Sequence, residues 1–264
     1  MQNTKNKLMM KSLLVSTLLS FSALSSATIV EVTTSQGPIT VNLFDKTTPK
    51  TVENFLNYVD ENHYTDSVIH RVVTDFIVQG GGFEFTGAWP LAPLAANASI
   101  INEPVYSNVK GTIAMAKRGG NVNSATNQWF FNLEDNSANL DVQNGGFTAF
   151  GQVIGDASWE TLEKIAQLSR CNQGGLTDIP VVKEESQTCA DLSAPGIENF
   201  VQVQQVTIID SSEVTDANLT PKKNTLIINQ PTTPDSSKSS GGSFGWLALS
   251  ALAFIGVRRR LSSK

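Results

Sequence analysis

The apolar pattern of the sequence predicts a mainly β protein, a closed and largely antiparallel barrel of eight strands with two α-helices covering its ends. Three observations carry this expectation. Eight short runs are rich in Val, Ile, Phe and Thr. Several of these runs alternate apolar with polar residues, as a sheet with one wet face requires. Only two segments repeat apolar residues at helical spacing. With 264 residues, 40% of them hydrophobic and 16% charged, the chain also holds enough apolar material for one sizeable core, which excludes wholesale disorder.

The first two runs, 28–33 and 39–44, set Val30 and Val32, then Ile39, Val41 and Leu43, at alternate positions, so each presents one apolar face. Thr48-Pro49 then starts a helix, Thr48 as cap and the proline at the first helical position, where its fixed φ is already suitable. Val52, Phe55, Leu56 and Val59 follow at i, i+3, i+4 and i+7. Further strands are expected at 68–73, 76–79, 112–116, 128–133 and 147–154, and Trp159, Leu162, Ile165 and Ala166 mark the second helix. The last strand, 201–209, reads Val-Gln-Val-Gln-Gln-Val-Thr-Ile-Ile. Beyond it, 211–240 is dominated by Ser, Thr, Asn, Asp, Pro and Lys and is too poor in apolar residues for a core, so a flexible linker is expected there. The body is then one domain, 28–210, without internal repeats.

Charge is distributed unevenly. The whole chain carries −5, yet residues 1–27 hold three lysines and no acid, and 241–264 hold three arginines, one lysine and no acid. Between them stand 12 basic against 24 acidic residues. So acidic a body argues against nucleic acid or anionic lipid as its partner, because phosphate affinity comes from clustered Lys and Arg.

The cationic ends read as addresses. Lys5, Lys7 and Lys11 precede an apolar run at 13–24 and the small residues Ser25-Ser26-Ala27, the pattern of a signal peptide over 1–27 cut by signal peptidase near Thr28. At the other end Gly241-Gly242-Ser243 leads into 14 apolar positions, 244–257, and then Arg258, Arg259 and Arg260. Such a helix would measure about 21 Å, short of a hydrocarbon core of about 30 Å. The arginines would stay cytoplasmic and leave the body outside. Segment 241–264 resembles the Gly-Gly C-terminal sorting signals of Gram-negative bacteria. That resemblance implies cleavage by an intramembrane rhomboid-type protease, with the protein in the periplasm and then on the outer surface or secreted; a plain inner-membrane anchor through 244–257 is the alternative. Cys171 and Cys189, the only cysteines, are an even number in a chain expected to be exported, and are expected to form a structural disulfide.

The familiar catalytic kits are missing from the sequence: there is no G-x-S-x-G elbow and no G-x-x-x-x-G-K-[ST] loop. The histidines, His63 and His70, have no H-E-x-x-H or cysteine cluster around them. No metal site and no cofactor are therefore expected. What stands out is Val68-Ile-His-Arg-Val-Val-Thr-Asp-Phe-Ile-Val-Gln-Gly-Gly-Gly-Phe83. In a strand, Arg71 and Val73 share one face and His70 and Val72 the other. An arginine among apolar strand residues, with Phe76 and Gln79 on the next strand, makes a hydrophobic floor carrying one cationic fork.

This stretch resembles the signature of the cyclophilin-type peptidyl-prolyl cis-trans isomerases. The likeness continues, in the family's order, through Gly111-Thr-Ile-Ala-Met-Ala-Lys117, Ser124-Ala-Thr-Asn-Gln-Trp-Phe-Phe-Asn132 and Phe147-Thr-Ala-Phe-Gly-Gln-Val153. It implies a cyclophilin-like β-barrel and a monomeric rotamase acting on proline-containing peptides or unfolded proteins. Carried over residue by residue, the catalytic arginine falls on Arg71. The proline pocket falls on Phe76, Ile77, Phe130 and Leu140, with Phe147 beside it. Gln79 and Gln128 fall where side chains hydrogen-bond near the substrate, Ala116 and the Lys117 backbone line the cleft, and His70 supports the arginine. The sequence departs from the family pattern at Trp129, where a second phenylalanine is usual, and at Ile77, where methionine is common. Asn139 and Phe147 stand where many eukaryotic members have tryptophan and histidine, and the first of these changes implies weak cyclosporin binding.

The residue types suit the reaction that the resemblance implies. The isomers of an X-Pro bond differ by only ~0.5–1 kcal/mol, but amide resonance sets a barrier of ~18–20 kcal/mol between them. As the bond twists, the nitrogen regains a lone pair that a fixed, permanently charged guanidinium can meet with a hydrogen bond. The alternative is a non-catalytic module that binds proline peptides or acts as a chaperone; it would need the pocket but not Arg71.

Overall fold

The computed structural model describes residues 28–212 and 219–227; the expected signal peptide and the Gly-Gly sorting segment lie outside these residues. Alternating apolar residues make strand β1 (Ile29–Thr34) and strand β2 (Gly37–Leu43) an antiparallel hairpin, with Val30, Val32, Ile39, Val41 and Leu43 all fully buried on one side. Helix α1 (Pro49–Asp60) follows, and its buried face holds Val52, Phe55 and Val59 as the spacing predicts. Its cap differs from expectation. The Thr48 side chain donates back to the Phe44 carbonyl (3.2 Å), and Glu103 takes over the helix N-terminus, accepting the Thr51 N–H at 2.9 Å and the Lys50 N–H at 3.2 Å. A carboxylate there meets both the unpaired amides and the positive end of the helix dipole.

The expected strand 68–73 is split into β3 (Ser67–Val68) and β4 (Arg71–Val73). Strands β5 (Ile77–Gly80), β6 (Phe83–Glu84), β7 (Ala92–Pro93), β8 (Thr112–Met115) and β9 (Trp129–Asn132) follow. A one-turn helix α2 (Ser137–Leu140) precedes β10 (Ala149–Ile154), and α3 (Asp156–Gln167) is the second long helix. A separate hairpin, β11 (Ser169–Gln173) and β12 (Leu176–Val181), leads to the long last strand β13 (Gln202–Asp210).

The expected eight-stranded barrel takes the form of a curled half-barrel. One antiparallel sheet of eleven strands runs β4-β5-β9-β8-β10-β2-β1-β13-β3-β6-β7, and the broken run 67–73 supplies both β4 at one end and β3 beyond β13. The described residues also hold three α-helices rather than two. The additional strands β6 and β7 are two residues each and leave no readable period in the sequence.

Inside the curl, Val72, Val78, Ile113, Phe131 and Phe150 pack with the α1 and α3 faces in the main core, where each buried side chain of this size contributes ~1.5–3 kcal/mol. A second cluster lies outside it, joining Phe85, Trp89 and Leu91 to Cys171, Ile179, Leu192 and Phe200. The Trp89 indole N–H donates to the Leu192 carbonyl (2.9 Å), and the Cys171–Cys189 disulfide staples β11 to the turn at Cys189–Leu192. Residues 219–227, inside the stretch expected to be a tether, lie against the body, with Lys223 bridging Tyr106 in antiparallel fashion. Among the described residues no helix is long and apolar enough to cross a membrane.

Candidate active site

Strand register builds the site. Arg71 on β4 faces Gln79 on β5, Gln79 faces Phe130 on β9, and Phe130 faces Ala114 on β8. Directly opposed residues share a face, so these four form one row across four strands. The neighbouring row, Val72, Val78, Phe131 and Ile113, points into the main core instead. The alternation that points one row into the core thus turns the row with the arginine to the opposite face of the sheet.

Along that row lies a third apolar cluster. Ile77, Ala114, Phe130, Leu140 and Phe147 are buried in it, and Val73, Phe76 and Ala116 form its half-buried rim. The Phe130 and Phe147 rings meet edge to face at 5.8 Å, a favoured aromatic geometry. Leu140, on α2, and Phe147, beyond the following loop, are drawn together by the Phe147 N–H donating to the Leu140 carbonyl (2.8 Å). Six residues that the sequence nominates for the pocket and rim, Phe76, Ile77, Ala116, Phe130, Leu140 and Phe147, are therefore in one place.

The polar groups stand at one flank. Arg71 Nη1 reaches Gln79 Oε1 at 3.5 Å, and Gln79 Nε2 donates to Gln128 Oε1 at 3.0 Å, a chain of side chains bordering the apolar patch. Arg71 is half-buried; burial lowers its pKa and the Asp178 carboxylate on β12 raises it. Gln128 is pressed against backbone without a side chain, since a Cβ on Gly82 would come within 2.5 Å of its amide carbon.

His70 is 3% exposed and on the opposite face, its N–H donating to the Gln79 carbonyl (3.1 Å) and its ring 4.8 Å from Phe83. Burial, and then the charge of Arg71, lowers its pKa to about 4, so it is neutral near pH 7. Lys117, nominated for its backbone, has a buried side chain with contacts of its own. Its buried Nζ donates to the carbonyls of Gly146 (2.6 Å) and Asn144 (2.8 Å) and lies 5.0 Å from the centre of the Phe147 ring, while burial lowers its pKa to about 8.

Sequence reasoning set Val73 on the face of Arg71, where it stands opposite Ile77, but missed Ala114 within the cluster and Asp178 beside Arg71. The strand period could have found Ala114, which stands opposite Phe130. Nothing in the sequence could have brought Asp178 to Arg71, because the hairpin that carries it packs against β4 only in three dimensions.

Comparison with known proteins agrees with this geometry. Residues 29–185 match the family described as "Cyclophilin type peptidyl-prolyl cis-trans isomerase/CLD". The chain is 36% identical over 156 residues to a peptidyl-prolyl cis-trans isomerase of Acinetobacter baylyi, covering 58% of this chain and 79% of that one. It is 38% identical over 162 residues to peptidyl-prolyl cis-trans isomerase A of Dickeya dadantii, covering 60% and 81%. Peptidyl-prolyl cis-trans isomerase B of Escherichia coli is 34% identical over 153 residues, covering 56% and 89%. A crystal structure of a cyclophilin-type isomerase of Cryptosporidium parvum superposes with a TM-score of 0.50 at 18% identity, over 70% of this chain and 99% of the other, a likeness of fold alone. A matched segment that takes in both the arginine row and the apolar cluster, and that runs through most of each bacterial relative, makes this chain a member of the cyclophilin-type peptidyl-prolyl cis-trans isomerases.

Proposed function

We propose that the proline ring of a substrate enters the pocket of Ile77, Phe130, Leu140 and Phe147, and that Arg71 donates a hydrogen bond to the prolyl nitrogen as the X-Pro bond twists. The observation that carries this reading is the row itself: one guanidinium fixed two strands away from a buried aromatic floor, on the same face. In the planar amide the nitrogen lone pair is delocalised and accepts weakly; in the twisted state it is localised and accepts well. The interaction therefore lowers the barrier more than it lowers the ground state, which is the condition for catalysis. The apolar walls shield that bond from water and strengthen it. Gln79, bonded to Gln128 and within reach of Arg71, holds the guanidinium in place or grips the carbonyl before the proline.

The composition of the two ends supports export, with clients among unfolded or partly folded proteins outside the cytoplasm and with processing by signal peptidase and a rhomboid-type protease. Intact mass of the exported protein reads both cleavages. The test of the chemistry is the cis-to-trans rate of a short Ala-Pro peptide with the protein and with its Arg71→Ala variant. By analogy with loss of one transition-state donor, the variant is expected to lose about 10²–10³ in rate, or ~2.7–4 kcal/mol. A loss below tenfold overturns the role of Arg71, and peptide binding without any acceleration by the parent protein would favour a pure binding module.

A further inference from the structure

The segment at 219–227 returns to the body at the outer side of the pocket wall. Asn224 is 5% exposed, whereas Lys222, Lys223, Thr225 and Leu226 on either side of it are exposed. Its backbone N–H donates to the Val105 carbonyl (2.9 Å), and its side-chain Nδ2 donates to the Asp141 carbonyl (3.0 Å). Its Oδ1 accepts the N–H groups of Leu226 (3.0 Å) and Ile227 (3.2 Å), which fixes the turn that follows. Upstream, the Ser107 N–H and hydroxyl donate to the carbonyls of Lys222 (2.8 Å) and Lys223 (3.2 Å).

Asp141 follows directly on Leu140 of the pocket and is fully buried. Its Oδ1 accepts both the backbone and the side-chain N–H of Asn108, at 2.7 and 3.0 Å, and the same Asn108 amide donates to the Phe147 carbonyl at 3.0 Å. Ile227 packs beside Gly146, where an added Cβ would meet its Cδ1 at 3.1 Å. Lys117 also holds the carbonyls of Asn144 and Gly146. The loop that joins Leu140 to Phe147 is thus gripped both by a residue inside the family match and by one well beyond its end at 185.

We propose that residues 219–227 brace the proline pocket from outside, with Asn224 as a positioning residue that sets the Leu140–Phe147 wall through the Asp141 carbonyl. This rests on the reading of that cluster as the proline site. A brace on the wall acts on how the ring is held and leaves Arg71, across the pocket, untouched. Its removal should therefore raise KM and spare kcat.

The experiment compares Asn224→Ala, Asn224→Asp and Lys223→Ala in the full chain, reading KM and kcat on Ala-Pro peptides together with amide hydrogen exchange at 140–147. Asn224→Asp keeps the acceptor for Leu226 and Ile227 but loses the donor to Asp141, so it should behave like Asn224→Ala. Both should raise KM about 2- to 10-fold, the scale of one hydrogen bond, with kcat within twofold and faster exchange at 140–147. Lys223→Ala alters an exposed side chain of the same segment and should leave all three unchanged. An unchanged KM in both Asn224 variants, with or without a lower melting temperature, overturns the brace. Full activity in Arg71→Ala would instead overturn the catalytic reading, and the KM comparison would still stand.

Discussion

His70 and Arg71 are neighbours in the chain with opposite surroundings, because a strand turns successive side chains to opposite faces. The imidazole is buried and its pKa lies near 4, whereas an unfolded histidine titrates near 6.5. Between those two values the unfolded chain binds a proton that the folded chain refuses, so folding stability falls as pH drops through 6.5 toward 4 and changes no further from this group below 4. The full difference is about 3 kcal/mol. His70→Leu is expected to flatten this acid limb: denaturant midpoints at pH 7 and pH 4.5 should lie closer together than in the parent protein. An equal drop in both proteins would show that His70 does not carry it. Because His70 is neutral at pH 7 while the guanidinium is charged, the pair divides labour without any proton passing between them.

The element that matters most to the site is the end of β5 with its three glycines. Gly81 has φ +83°, and a Cβ there would come within 2.5 Å of the Asn127 carbonyl; Gly82 leaves room for the Gln128 amide. Gly82→Ala is expected to push Gln128 off Gln79 and lower kcat/KM about tenfold, the scale of one lost polar contact of ~1.4 kcal/mol. A normal rate would mean that the glutamine pair is dispensable. At this scale much was legible. Helix α1 follows from Val52, Phe55 and Val59 at helical spacing, and β13 from its run of valines and isoleucines among polar residues, whose alternation breaks between Val203 and Val206 where the pairing with β1 shifts register. The apolar cluster was legible in part: Ile77 and Phe130 fall in motif blocks on paired strands and Phe76, Ala116 and Phe147 in the same blocks beside strands, while Leu140 lies on α2, outside the blocks. Hairpin β11–β12 was not, since only Cys171 of its first strand is buried and no apolar period results. The Glu103 cap and the docking of Asn224 were equally hidden, each joining residues far apart in sequence through a single polar side chain.

At the scale of the molecule, segments 83–91 and 171–200 meet in the second apolar cluster, outside the main core. The disulfide closes a loop with a sequence separation of 18 within that outer cluster, which the chain-entropy account puts at about 3 kcal/mol. Reduction is therefore expected to lower the melting temperature by ~6–12 °C for a body of this size. Peptide isomerisation at 25 °C should persist, since the arginine row belongs to the main sheet; an unchanged melting temperature would deny the staple its role. The sheet also sets an order of events. Segment 67–73 lies between its two flanks: the Ile69 N–H donates to the Val201 carbonyl at 2.9 Å on one side, and the His70 N–H donates to the Gln79 carbonyl at 3.1 Å on the other. Strand β13 in turn pairs Ile208 with Val30 near the beginning of the described chain. A polypeptide emerging N-terminus first would carry Arg71 and all the pocket residues into the open long before the partner of Ile69 arrives. Its guanidinium would still be searching for its place, and a catalyst of slow turns in other chains would begin its own service only when its last strand had docked.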